Sequence, residues 1–303
     1  MKALNVIGAG RVGRTLASLW SEKHAFVVQD VLDANPAGAK SAVAFIGDGT
    51  PAETIAAMRA AEVWMLTPPD RDIAASCGSL AESGHLRPGD VVFHCSGSMS
   101  SAELRAAKAL GATAASVHPL KTFADARDAV RTFAGTFCTV EGDRAALEVL
   151  GPAFERIGGR VSEIDPRFKT VYHAASVIVC NYLMALMETG LRCYEKAGLP
   201  REIAAAMIEP IVRETVDNVF RIGTVRALTG PIARGDDGVI TRHLEALGAW
   251  DPHVVALYRE LGAVTLELAR AQGEADAAAL DRIHAILEES RPEMEHRNVY
   301  PRQ

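Results

Sequence analysis

Three glycines near the beginning of the chain stand at the spacing of a phosphate-binding turn. They follow the apolar run Ala3–Ile7 and precede a run with helical periodicity, within the segment NVIGAGRVGRTLASLW. In such a turn the first glycine permits a tight bend, the second lets the backbone approach a pyrophosphate, and the third lets helix and strand pack closely. The alternative is a glycine turn that serves packing alone. The residues predicted to bind a dinucleotide here are Gly8, Gly10, Arg11, Val12 and Gly13.

The segment after the second apolar run bears on which dinucleotide binds. Asp33 lies 20 residues beyond Gly13, and Asp30 lies 17 residues beyond it. An acidic residue near this spacing holds the ribose 2′-OH of NAD, whereas an arginine accommodates the 2′-phosphate of NADP. Lys40 is the only basic residue of VVQDVLDANPAGAK. The cofactor is therefore predicted to be NAD or NADP, with the sequence favouring NAD and Asp33 on the ribose, although either aspartate could be an ordinary loop acid.

Two short motifs follow predicted strands and would face the same cofactor. They are LTPPD, residues 66–70, and HCSGS, residues 94–98. Ligands of an open α/β sheet bind outside the carboxyl ends of its strands. The alternative is that these are plain turn residues, because proline, serine and glycine are favoured in turns. The residues predicted to line the ribose and nicotinamide are Thr67, Pro68, Ser96 and Gly97.

Two further segments carry side chains suited to acid/base chemistry. In KTVYHAAS, Lys169 and His173 are four residues apart and share a helix face. A cation and an imidazole on one face suit general acid/base work on a carbonyl or imine, and a polar entry to an apolar helix is the alternative. In SVHPLKTF, His118 precedes a proline that holds it extended. We expect His118 to contact a substrate carbonyl or carboxylate, or else to be a structural hydrogen-bonding residue.

Substrate-binding residues are predicted at two other places. Asn181 lies in the apolar run AASVIVCNYLMALM, where a buried amide needs partners and could be structural or point to a ligand. The loop ALTGPIARGD contains Thr229 and Arg234. Because arginine binds a carboxylate bidentately, Thr229 and Arg234 are predicted to bind an anionic group of the substrate.

The composition is that of an ordinary soluble globular protein. The 303 residues are 49% hydrophobic and 23% charged, with a net charge of −6 and scattered basic residues, so no nucleic-acid partner is expected. The five cysteines form no C-x-x-C pair, and no metal-ligand spacing is present. Residues 174–187 are too short to span a membrane and are predicted to form a buried core helix. With no secretory signal visible, we expect a cytoplasmic protein without a membrane partner.

Short apolar runs alternate with helix-like runs in the first half, and helical runs alone follow residue 165. This order predicts an α/β fold with a Rossmann-type doubly wound parallel sheet, followed by an all-helical C-terminal domain. The domains are predicted at 1–165, binding the dinucleotide, and 166–303, binding substrate and dimerising. The predicted strands are Ala3–Ile7, Phe26–Leu32, Val63–Thr67, Val91–His94, Ala115–His118 and Gly135–Val140. The predicted helices are Val12–Glu22, Pro36–Ile46, Glu53–Ala60, Ile73–Ser83, Ser101–Leu110, Arg144–Ile157, Arg167–Lys196, Pro200–Phe220, Gly238–Leu247, Pro252–Gln272 and Ala275–Glu289.

The motifs VIGAGRVG, HCSG, SVHPLKTF, KTVYHAASVIVCNYL and LTGPIARGD together resemble a family of oxidoreductases. Its members have a Rossmann-like domain and a helical C-terminal domain of unknown function, and are related to pyrroline-5-carboxylate reductase, ketopantoate reductase and the β-hydroxyacid dehydrogenases. The resemblance covers nearly the whole chain and implies NAD(P)-dependent hydride transfer and a homodimer formed through the helical domain. In the β-hydroxyacid and ketopantoate relatives a helix carries a catalytic lysine with an asparagine one turn later. Lys169 matches that lysine, but His173 stands at the asparagine position.

These observations predict an oxidoreductase that transfers a hydride between a nicotinamide and a small carbonyl, imine or hydroxy-acid substrate bound between the domains. Lys169 is the predicted acid/base group, and His173 is predicted to orient the substrate or relay a proton. His118 and Arg234 are predicted to bind the substrate. A dinucleotide-binding sensor or scaffold is the alternative, because it needs the glycine turn but no acid/base pair. A hydrolase is a third interpretation, which is disfavoured because HCSGSMS lacks the G-x-S-x-G pattern.

Overall fold

The computed structural model describes residues 1–289. The chain divides into two compact units, Met1–Asn181 and the residues from Tyr182 onward. By packing, residues 166–181 group with the first unit, and the domain boundary predicted after residue 165 stays a prediction.

The first unit is built on one sheet of eight strands. They are β1 (Ala3–Ile7), β2 (Val27–Leu32), β3 (Thr50–Ala52), β4 (Val63–Leu66), β5 (Val91–His94), β6 (Thr113–Pro119), β7 (Phe137–Gly142) and β8 (Arg160–Glu163). Their order is β3-β2-β1-β4-β5-β6-β7-β8. The direction in which strands are added reverses beside β1, which is the switch point of a doubly wound sheet. The predicted fold class is confirmed.

One pair of strands departs from the predicted parallel arrangement. β7 runs antiparallel to β6, with His118 opposite Thr139 and Ser116 opposite Glu141. A parallel connection needs a crossover that passes over the sheet. Here the chain instead turns back, and the N–H of Leu120 donates to the carbonyl of Phe137 at 2.7 Å. This reversal brings β7 side chains beside the carboxyl end of β6.

The sheet is covered on both faces, which explains why its central strands are apolar without alternation. β4 and β5 are buried along their whole length. On one face Trp20, Phe93 and Phe154 pack edge to face, with ring centroids 5.0 to 6.4 Å apart. On the other face Trp64 and Leu80 belong to a second buried cluster. The strand ends are therefore held on a rigid support.

Most helices of the first unit follow the prediction, but the helix Ala126–Arg131 was not predicted. The helix predicted over Ser101–Leu110 is a 3-10 turn at Ser101–Leu104 followed by a short helix at Arg105–Lys108. The helices of the first unit are α1 (Arg11–Glu22), α2 (Pro36–Ile46), α3 (Ile73–Glu82), α4 (Arg105–Lys108), α5 (Ala126–Arg131), α6 (Arg144–Arg156) and α7 (Lys169–Ser176). The helix predicted over Glu53–Ala60 is wrong, since a single 3-10 turn at Ile55–Ala57 takes its place. The turn ends because Met58 is extended and the N–H of Arg59 donates to the Asp30 carboxylate at 2.6 Å.

The second unit is helical between residues 182 and 289. Its helices are α8 (Tyr182–Lys196), α9 (Arg201–Ile222), α10 (Thr224–Ala227), α11 (Pro231–Arg234), α12 (Asp237–Gly248), α13 (Pro252–Gln272) and α14 (Ala277–Glu288). Ile240, Leu266 and Ile283 lie in its buried core. The all-helical C-terminal region is confirmed over these residues.

The apolar segment predicted as a buried core helix is exposed. α7, a π-helical segment at Val177–Asn181 and α8 form one helical stretch over Pro166–Lys196, and in residues 1–289 this is the one stretch long and apolar enough to cross a membrane. Ile178, Val179 and Met184 are 58 to 67% exposed. The prediction of burial was wrong, because the segment is apolar around most of its circumference while α8 packs on α9 along one side.

Candidate functional site

Two glycines of the turn between β1 and α1 are required by close packing. Gly8 has φ of +94°, and a Cβ there would lie 2.4 Å from the backbone nitrogen of Pro68. A Cβ on Gly13 would lie 2.4 Å from the carbonyl oxygen of Gly8. The hydroxyl of Thr67 donates to that same carbonyl at 2.7 Å. The turn therefore rests directly on the segment after β4 and leaves no room for side chains at Gly8 and Gly13.

Gly10 is different, because a Cβ there would meet no atom within 4 Å. Gly10 is the N-cap residue of α1, no side chain caps the helix, and its first turn contains no acidic residue. Arg11 is exposed and Val12 is half-buried at the start of the helix. Open space thus adjoins a helix N-terminus whose first N–H groups have no intrahelical partner, which fits a pyrophosphate.

The two aspartates considered as ribose ligands have different partners. Asp30 is buried and forms an ion pair with the guanidinium of Arg59, with 2.6 Å between Nη2 and Oδ1. Asp33 follows β2, and its carboxylate accepts the N–H of Ala9 at 2.9 Å and of Asn35 at 3.0 Å. Asp30 is therefore a structural residue, whereas Asp33 lies against the glycine turn, where a dinucleotide ribose would bind.

The segments after β4 and β5 are joined by one carboxylate. Asp70 Oδ2 accepts the hydroxyl of Ser96 at 2.8 Å and the hydroxyl of Ser98 at 3.0 Å. The predicted lining residues, Thr67–Pro68 and Ser96–Gly97, follow β4 and β5, which pair in parallel. The Asp70 carboxylate thereby joins the two segments side by side. No pattern in the sequence singles out Asp70.

Gly97 lies against two imidazoles that come from separate segments. A Cβ on Gly97 would lie 2.9 Å from Nε2 of His118 and 2.9 Å from Cδ2 of His173. The two rings are 6.0 Å apart between centroids. Nδ1 of His118 is hydrogen-bonded to the hydroxyl of Tyr172 at 3.1 Å. Gly97, His118, Tyr172 and His173 are called the His118 cluster below.

Lys169, the first residue of α7, lies in a buried network. It is 1% exposed, and its Nζ donates to the hydroxyl of Ser116 and lies 3.4 Å from Oε1 of Glu141. Glu141 is equally buried, and its two oxygens accept the N–H and the hydroxyl of Ser101, each at 2.8 Å. Ser116 also lies 3.4 Å from Nδ1 of His94. The cation is therefore paired and hydrogen-bonded, as a buried charge requires.

Burial governs protonation in the His118 cluster and in the buried network around Lys169. Desolvation lowers the pKa of His118 to about 4, and the charges of Lys169 and His173 add to this effect. Desolvation also lowers the pKa of His94 to about 4 and raises the pKa of Tyr172. The pKa of Lys169 is lowered by desolvation, which the Glu141 carboxylate opposes. At neutral pH the His118 ring is uncharged and the Tyr172 hydroxyl keeps its proton.

The three other residues predicted to bind substrate are exposed. Asn181 ends the π-helical segment and is exposed, so the expected burial of its amide was wrong. Thr229 and Arg234 belong to the second unit; both are exposed, and the Arg234 guanidinium pairs with Asp236 at 3.1 Å. Their roles in binding substrate stay predictions. Within residues 1–289 no group of three His, Cys, Asp or Glu side chains could hold a metal ion.

Three neighbours of the predicted residues were missed. Tyr172 is three residues from Lys169 and shares its helix face. Ser116 precedes His118 by two residues, so both side chains lie on one face of β6. Glu141 directly follows the run FCTV in the sequence, and a charge in a buried strand is itself a signal that a counterion is near.

We expect Gly8→Ala to destabilise the first unit far more than Gly47→Ala. Both glycines have a positive φ, +94° and +79°, but a Cβ on Gly47 would meet nothing within 4 Å. Gly47→Ala should cost about 1 kcal/mol for the left-handed backbone, and Gly8→Ala a further 1–3 kcal/mol for overpacking. Urea unfolding of the two variants measures the difference. Equal losses would contradict the close packing of Gly8 on Pro68.

Comparison with known families agrees with this architecture. Residues 2–119 match the family described as a Rossmann-like domain, and residues 136–265 match a domain of unknown function, DUF2520. No protein of curated function matches the chain.

Solved structures share the fold over most of their length. Protein TM1727 from Thermotoga maritima is 26% identical with a TM-score of 0.72, over 89% of this chain and 99% of its own. An imine reductase from Myxococcus stipitatus in complex with NADP⁺ is 17% identical with a TM-score of 0.58, over 95% and 93%. A pyrroline-5-carboxylate reductase from Coxiella burnetii is 15% identical with a TM-score of 0.55, over 93% and 97%. The chain thus combines a Rossmann-like domain with a DUF2520 domain, on a fold that it shares with these reductases.

Proposed function

We propose that this chain is an NAD(P)-dependent oxidoreductase acting on a small carbonyl, imine or hydroxy-acid substrate. One observation carries the proposal. The open glycine turn after β1 and the His118 cluster beside β5 and β6 lie at the carboxyl ends of strands in one sheet, where ligands of doubly wound sheets bind. The shared fold with reductases, one of them in complex with NADP⁺, supports it.

The residues proposed to hold the cofactor run from the glycine turn to the end of β5. The phosphates would meet the first N–H groups of α1 at Gly10–Gly13, with the side chain of Arg11 beside them. Asp33 would accept the ribose hydroxyl, which favours NAD because a carboxylate repels the 2′-phosphate of NADP. Thr67–Pro68 and Ser96–Gly97 would line the nicotinamide end. The bound cofactor supplies or accepts the hydride.

His118 is the group proposed to contact the substrate. In the proposed tautomer the Tyr172 hydroxyl donates to Nδ1, and the neutral ring would carry its proton on Nε2, which faces Gly97. That N–H would donate to the carbonyl oxygen or imine nitrogen and orient it. His173 would form the second side of the same pocket. Lys169 could take its predicted acid/base role only if a proton is relayed between it and the substrate. Its Nζ is buried and donates to the Ser116 hydroxyl, which would be the first group of that relay.

The experiment is a turnover assay with NADPH or NADH against a panel of 2-oxo acids, small ketones and cyclic imines. We expect nicotinamide absorbance to fall with at least one class, and His118→Asn to slow this fall by about 10²–10⁴-fold. His24→Asn is the matched control, because His24 has φ of +51°, which asparagine tolerates, and lies on the surface. Cofactor binding without turnover of any class would contradict the enzyme and support a dinucleotide sensor.

We also propose that the protein is a homodimer formed through the helical unit. The cytoplasmic location of the protein stays a prediction. Large exposed apolar surfaces mark interaction sites. We expect Ile211→Glu to shift a dimer towards monomer in sedimentation, while Leu110→Glu, an exposed leucine of the first unit, leaves it unchanged. A monomeric wild type would contradict the proposal. The exposed apolar residues of α8 and α9 include Tyr182, Met184, Ile203, Met207, Ile211 and Phe220.

A further inference from the structure

Glu141 is a buried carboxylate with no role in cofactor binding. It lies on β7, directly opposite Ser116 of β6 in the antiparallel pair. Its side chain is 1% exposed. A carboxylate at this depth is costly unless it is paired and fully hydrogen-bonded, so its presence in a buried strand needs a reason.

The contacts of Glu141 reach two other elements. Its oxygens accept the N–H and the hydroxyl of Ser101, which begins the 3-10 turn before α4. Oε1 also lies 3.4 Å from Nζ of Lys169. One carboxylate therefore ties the first residue of α7 to the sheet.

The placement of Lys169 makes this tie necessary. A cation at a helix N-terminus is opposed by the helix dipole, and burial adds a desolvation cost. Tyr172 and His173 are three and four residues further along, so they project from the same face of α7. Where Lys169 is seated thus determines where the Tyr172 hydroxyl and the His173 ring meet His118.

We propose that Glu141 is a positioning residue of the active site. Its carboxylate keeps Lys169 protonated and seats the first turn of α7, and with it Tyr172 and His173, against His118 and Gly97. The inference rests on the proposed function, since it assigns Glu141 to the same site.

The proposal predicts a change at a residue that Glu141 does not touch. The groups that act on His118 are the charges of Lys169, His173 and Asp70 and the Tyr172 hydroxyl. Glu141→Gln keeps hydrogen-bonding capacity towards Ser101 but removes the counterion of Lys169. Without that counterion the first turn of α7 is no longer seated, so His173, whose charge lowers the pKa of His118, and Tyr172, which covers the ring, move away from it. The midpoint at which His118 titrates therefore rises.

The experiment is an NMR pH titration of His118 in the full chain. We expect a midpoint near the pKa of about 4 in the wild type and a rise of about one pH unit in Glu141→Gln. The double variant Lys169→Met with Glu141→Leu guards against a single variant that fails to fold. Its His118 midpoint should equal that of Lys169→Met alone, because Glu141 acts on the site through Lys169. Glu148→Gln, an exposed glutamate of α6, is the control and should titrate as the wild type.

An unchanged His118 midpoint in Glu141→Gln, or a further shift when Glu141→Leu is added to Lys169→Met, would overturn the proposal and leave Glu141 a structural residue. The same samples are titrated with NADPH and NADH. Binding of neither nucleotide by the wild type would defeat the proposed function, whereas the His118 midpoints would still decide the role of Glu141, so the two failures are distinguishable.

Discussion

Lys169→Met is expected to lower the free energy of unfolding by about 3–5 kcal/mol, because it leaves the buried carboxylate of Glu141 without its cation. The loss should be visible as a shift of the urea midpoint at neutral pH. Lys169 and Glu141 each contact further groups in the network, so their effects should not be additive.

The matched test of this prediction is the double variant with Glu141→Leu. Replacing a whole buried ion pair by apolar side chains is often neutral or stabilising, so the double variant should regain most of the lost stability. A single variant as stable as the wild type would show that the ion pair is not formed in the folded protein.

His118→Asn is expected to lower turnover by about 10²–10⁴-fold, the usual contribution of a positioned acid/base group. Tyr172→Phe should cause a smaller loss, because it leaves the imidazole in place but removes the hydroxyl on Nδ1. The assay is kcat/KM on a substrate identified by the panel. Equal turnover by His118→Asn and the wild type would remove His118 from the mechanism.

Protonation of His118 also makes the stability of the folded chain fall at low pH. The pKa of His118 is lowered to about 4 in the folded chain, below the ordinary 6.5, and His94 behaves alike. The unfolded chain therefore binds more protons between pH 6.5 and 4, so the stability is complete above pH 6.5 and is lost as the pH falls towards 4. Urea midpoints across this range should decline, and His118→Asn should decline less.

The parts of the site that sequence could predict depend on local rules. Gly8, Gly10 and Gly13 follow from the requirements of one turn, and His118 and Gly97 follow from the rule that strand ends meet at one edge of a sheet. The helical position of Lys169 and His173 followed from their spacing. These residues needed no knowledge of long-range pairing beyond the strand order of a doubly wound sheet.

The parts that sequence missed depend on which elements pair over long range. Glu141 meets Lys169 because β7 turns back antiparallel to β6, and no local pattern specifies that reversal. Asp30, considered beside Asp33 for the ribose, forms an ion pair with Arg59 from a distant turn, which its position in the sequence does not indicate. The exposure of residues 174–187 depends on which other helices pack against this segment. Its apolar composition alone does not determine that packing.

The central claim is that a dinucleotide binds at the glycine turn, and a fluorescence titration of NADH and NADPH tests it most directly. Gly10→Asp is the decisive variant, because the added side chain enters space that is open in the folded chain and places a negative charge beside the phosphates. The wild type should bind at least one nucleotide. Gly10→Asp should stay folded but bind that nucleotide about 100-fold more weakly or worse, a loss of about 2.7 kcal/mol in binding free energy. Binding of neither nucleotide by the wild type, or equal binding by the variant, would contradict the account.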